Sequence, residues 1–103
     1  MSRYPALEQF LGGYLHQDWM HDYADVWAAV DDFARSEPDH APALVLEIGA
    51  LLASDIAEMQ LRSLVVDELD GQYLVDRDGW TYRAWLGAVA ERVQKVLDEQ
   101  AGR

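Results

Sequence analysis

The sequence contains no cysteine, so the fold uses no disulfide, no thiolate metal site and no cysteine nucleophile. Basic residues are scarce: 8 Arg and Lys stand against 19 Asp and Glu, and Lys95 is the sole lysine. The resulting net charge of −11 opposes binding to nucleic acid or to anionic membranes, and speeds encounter with a basic partner. No apolar run approaches the ~20 residues that span a bilayer. The start, Met1-Ser2-Arg3-Tyr4-Pro5, leads into polar sequence rather than an apolar leader, which gives a cytoplasmic expectation. Catalytic signatures are missing too. There is no G-x-S-x-G elbow, no P-loop and no dinucleotide fingerprint, because Gly12-Gly13 is followed by aromatics. The reading is therefore of a protein that is not an enzyme and needs no cofactor.

What is present points to a packed helical domain. Half of the 103 residues are hydrophobic, with 4 Trp and 5 Tyr, enough for one modest core spanning residues 1–103. Leu7, Phe10 and Leu11 recur at helical spacing, predicting a helix over Pro5–Leu11 that Gly12-Gly13 stops or bends. Tyr14 to Tyr23 reads as a turn or helical corner. Val26, Val30 and Phe33 predict a second helix near Asp25–Ser36, capped by Asp22 or Asp25 and ended by Glu37-Pro38. A third begins at Asp39 and carries Leu44, Ile48, Leu51 and Leu52 until Ser54-Asp55. A fourth reaches Leu69, with Leu61, Leu64 and Val65 inward and Asp55 and Glu58 as its capping box. Asp70-Gly71 and Asp78-Gly79 are turn signals around a short hairpin or loop near 71–80. Thr81 caps the last helix, whose stripe is Tyr82, Leu86, Val89, Val93, Val96 and Leu97. The expected class is all-α, a compact bundle of about five helices.

Three groups of residues bear on function. His16, Asp18, His21 and Asp22 carry metal-ligand chemistry, but no two histidines stand four apart on one helical face, so a corner held by hydrogen bonds is the favoured reading. Trp27 and Tyr82 fall on core stripes. Trp19, Tyr23, Trp80 and Trp85 lie at element ends or off the stripes, as core lids or interface anchors. The acidic residues form two groups. In the first, Asp25 and Asp32 share an outer helical face; in the second, Asp67, Glu68, Asp70, Asp76 and Asp78 sit at a helix end and loop. A solvated face is the default for both. Paired carboxylates also imitate phosphates and plug a cationic active site.

The run from Tyr4-Pro5-Ala6-Leu7 through Gly12-Gly13-Tyr14-Leu15-His16-Gln17-Asp18-Trp19 resembles the N-terminal signature of contact-dependent growth inhibition immunity proteins of the CdiI type. Glu37-Pro38, the Glu47–Leu52 stretch and Tyr82-Arg83-Ala84-Trp85-Leu86 match in order, so the resemblance covers nearly the whole chain. It implies a small cytoplasmic bacterial protein that binds the C-terminal effector domain of a secreted toxin, often a nuclease, and blocks it without catalysis. Gly12, Gly13, Tyr14, His16, Gln17, Asp18 and Trp19 are then expected to shape the fold. Toxin contacts are expected on the acidic surface, at Asp25, Asp32, Asp67, Glu68, Asp70, Asp76 and Asp78. An acidic helical adaptor without a toxin partner is the alternative, and a His/Asp metal-dependent enzyme a more distant one.

Overall fold

The computed structural model describes residues 3–69 and 75–102, with the side chain of Asp76 left aside. Among the described residues there is helix and turn but no strand. The elements are α1 (Pro5–Tyr14), α2 (Trp19–Asp22), α3 (Val26–Ser36), α4 (His40–Ala53), α5 (Glu58–Arg62) running into a π-helix (Ser63–Glu68), a 3-10 turn (Val75–Asp78) and α6 (Tyr82–Ala101). The all-α expectation stands. Of the region 71–80, residues 71–74 lie outside the described part, and the rest is the 3-10 turn closed by Gly79 at φ +84°. That left-handed backbone is one that glycine adopts without strain.

The core lies between α4 and α6, closed by α1 and α3. Trp85 is fully buried at its centre, with Phe10 stacked 6.5 Å away and Phe33 set edge-on to Phe10 at 5.2 Å. Trp85 thus belongs to the inward stripe of α6 rather than beside it. Trp27 is the reverse case: it is half-buried, crosses Trp80 at 5.9 Å and carries the Arg92 guanidinium over its ring.

Several helix ends differ from the sequence expectation. α1 runs through Gly12 and Gly13, because Phe10, Leu11 and Leu15 are all buried and their packing outweighs the weak helix propensity of two exposed glycines. Asp25 caps α3 by accepting from the Ala28 amide at 2.8 Å, and Thr81 caps α6 by accepting from Ala84 at 3.0 Å. Asp39 precedes α4 in helical geometry and makes no side-chain cap. Asp55 and Glu58 form no capping box. The first turn of α5 is closed instead by Gln60, which accepts from the Ala57 amide at 2.9 Å. Beyond Arg62 the helix widens, and the Leu69 amide donates five residues back to Leu64. Leu64 and Leu69 are both buried, while Asp67 and Glu68 stay exposed.

Two long-range carboxylates tie the bundle together. Glu47, in the middle of α4, accepts from the amides of Ala6 and Leu7 at 3.0 Å each, filling the open N-terminus of α1. Glu58 accepts from the amides of Tyr82 and Arg83 at the start of α6. The Arg83 guanidinium in turn donates to the carbonyls of Leu52 and Ile56 at 2.9 and 2.8 Å. At that second junction the orphan N–H groups of α6 meet a negative charge, and the carbonyls at the end of α4 and in the turn after it meet a positive one.

Candidate functional site

The signature residues build a corner, not a pocket. Tyr14 stacks on Phe10 and Tyr23 at 6.4 Å and meets Phe33 edge-on at 5.3 Å. His16 Nδ1 accepts from the Asp18 amide at 3.1 Å. That tautomer leaves its Nε2 directed at Asp22, 3.4 Å away. Trp19 packs half-buried against the core, and Gln17 and Asp18 are exposed. His16, Asp18, His21 and Asp22 do not converge. Among the described residues no three His, Asp or Glu side chains are grouped to hold a metal ion.

Asp32 belongs to this corner more than to an outer face. It is half-buried, accepts from the Tyr23 hydroxyl, and accepts from the Ser36 hydroxyl at 2.8 Å. Burial, the bond to Asp32 and its negative charge together push the Tyr23 phenol well above its ordinary range. Burial, with Glu37 and Asp32 nearby, raises Tyr14 as well. Asp31, next to it, is held by Arg92 through two bonds of 2.8 and 2.9 Å. That hydrogen bonding keeps the Asp31 carboxyl below the usual range and raises Arg92.

The second acidic group lies elsewhere. Asp67 is exposed and accepts from Ser63 at 3.2 Å; Asp78 is exposed in the 3-10 turn. Asp70 and the side chain of Asp76 fall outside the described residues. Glu68 borders a cavity of about 940 Å³ between the start of α1 and the α5–π segment. Glu8 and Asp55 stand on the same cavity, above a floor that includes Ile56 and Leu64. Neither acid is among the contact residues expected from sequence, where Asp55 reads as a helix break and cap. Glu8 is one polar residue on an amphipathic helix and Asp55 sits at a helix break, so nothing local joins them to Glu68. The chain fold does.

A second, shallower surface runs along α4. Between Ala41 and Ala53 the helix carries a single charge, Glu47, and that charge is turned onto α1. Pro42, Leu46, Gly49, Ala50 and Ala53, at helical spacing, are all exposed. No helix among the described residues is long and apolar enough to cross a membrane.

Comparison with known proteins now decides the family. The model of the CdiI immunity protein family matches residues 3–93. The chain belongs to the CdiI immunity protein family. A chain of the crystal structure of a CdiA-CT/CdiI complex from Y. kristensenii 33638 superposes with a TM-score of 0.84 at 20% identity, covering 89% of this chain and 99% of that one. At that identity the likeness shows a shared fold. No curated protein matches. The resemblance carried by residues 4–19 and the later segments is thereby borne out. In this chain residues 12–19 form the α1–α2 corner, where Tyr14 and Trp19 pack against the core.

Proposed function

We propose that this immunity protein works in the cytoplasm by binding the C-terminal domain of a cognate CdiA-type toxin and covering that domain's working surface. Binding alone accomplishes the task, and no residue of this chain acts chemically. The observation that carries the reading is the match of the CdiI immunity family over residues 3–93. The charge adds the physical chemistry. A net charge of −11 draws in a basic domain, and a nuclease is the kind of toxin whose phosphate-binding groove carboxylates would fill.

Within that reading, the exposed acids Asp67, Glu68 and Asp78, and Asp25 at the start of α3, make the contacts, and by sequence Asp70 and Asp76 are assigned to the same group. Glu8 and Asp55 join Glu68 on its cavity. Asp32 supports the corner behind Asp25, since its oxygens already serve Tyr23 and Ser36. The test is whether a neighbouring gene encodes a large secreted protein, followed by co-purification and calorimetry with the C-terminal domain of that protein and protection of cells making that domain. Stoichiometric binding that weakens as salt rises is expected. A chain that neither binds nor protects is an acidic adaptor of another kind.

A further inference from the structure

The exposed face of α4 has features that no contact among the described residues explains. In a protein with 19 acidic residues, Pro42, Leu46, Gly49, Ala50 and Ala53 make a charge-free strip one helix long. Leu46 is 75% exposed at its centre. Beside it, Gly49 sits in the middle of a helix, where glycine is a poor residue. A Cβ added at Gly49 would meet nothing within 4 Å, so internal packing does not require the glycine. Gly87 differs, because a Cβ there would meet Leu52 at 3.6 Å. Small residues around one projecting leucine allow another backbone to come close and seat the leucine in a pocket.

Charge selects the occupant. Exposed acids bound the two ends of the strip, Asp39 before α4 and Asp55 after it. Glu8 and Glu91 lie on α1 and α6, the helices packed on either side. Two copies of a chain with net charge −11 would bring these acids together and repel. A basic domain with an apolar patch at its centre meets the strip with its middle and the acids with its edge, the usual layout of a protein interface. Asp55 also stands on the cavity with Glu68, so strip and cavity share an edge.

We infer that the α4 strip is the dry centre of the toxin interface, with Leu46 as its anchor and the surrounding acids as its charged rim; this rests on the immunity function proposed above. Leu46→Gln with Ala50→Gln adds no charge and touches no buried residue. The double variant keeps the far-UV spectrum and Tm of the wild type. Its affinity for the toxin domain falls by about 30-fold or more, mostly through faster dissociation. Gly49→Ala raises the Tm of the free chain while speeding toxin dissociation, an opposition that a purely internal role does not produce. Asp55→Asn with Glu91→Gln mainly slows association.

The outcomes separate cleanly. If the wild-type chain fails to bind the toxin domain, the proposed function falls and this interface falls with it. If the wild type binds and the double Gln variant binds within about threefold of it, only the interface is overturned. A free wild-type chain that sediments as a dimer, and becomes a monomer in the double variant, assigns the strip to a second copy and also overturns it.

Discussion

Glu47 and Glu68 are both glutamates on helices of one acidic protein, and they do opposite things. Glu47 turns inward and receives two backbone amides of α1. Glu68 stays exposed at the edge of a cavity, and the structure gives it no hydrogen-bond partner among the described residues. Glu58 and Asp32 belong with the first kind; Glu8 and Asp55 belong with the second. The difference separates carboxylates that stabilise this fold from carboxylates left for another molecule. Net charge alone does not make that distinction.

The comparison breaks most visibly if an inward acid proves dispensable. Glu47→Ala leaves two helix N-terminal amides without their charged acceptor and should cost about 2 kcal/mol in urea unfolding. Asp32→Ala should cost about 1 kcal/mol. It should also return the Tyr23 phenol toward its ordinary range, read by ultraviolet titration, because the bond and charge that raise it are removed. Arg92→Ala should cost roughly 0.5–1 kcal/mol at neutral pH, from a partly exposed two-bond ion pair lying over Trp27. Asp31 has a lower folded than unfolded pKa, so its contribution is present above about pH 4 and is lost as pH falls through the folded value. The stability gap between wild type and Arg92→Ala should therefore close on acidification. At the small end, the triple variant Glu8→Gln, Asp55→Asn, Glu68→Gln should change stability by less than about 0.5 kcal/mol.

The helices and two of their caps could be read locally; the division of the carboxylates could not, and what was missed has a common cause. Asp25 and Thr81 were legible as caps because each cap bonds a backbone amide three residues ahead. The apolar stripes of α3 and α6 were legible from spacing, and Val30, Phe33, Leu86 and Val89 are fully buried as that spacing required. Gly12-Gly13 was misleading because burial of Leu11 and Leu15 carries α1 across it. Asp55 and Glu58 had the pattern of a capping box, yet the Glu58 carboxylate is taken by α6, 24 residues further on. The acceptor role of Glu47 depends on α1, some 40 residues earlier, and no local pattern announces it. The cavity that gathers Glu8, Asp55 and Glu68 has the same origin: α1, the turn after α4 and the π segment contribute one acid each. The family signature at residues 12–19 was legible as a motif, while its corner geometry needed Tyr23, Asp32 and Phe33 from outside it.

The most direct test of the central claim is the affinity of the Glu8→Gln, Asp55→Asn, Glu68→Gln variant for the cognate toxin domain, measured across a range of salt. The division of carboxylates predicts a chain as stable as the wild type that binds at least about tenfold more weakly at low salt and depends less on salt. Toxin binding by the wild type with equal affinity and an unchanged salt dependence in the triple variant would contradict it.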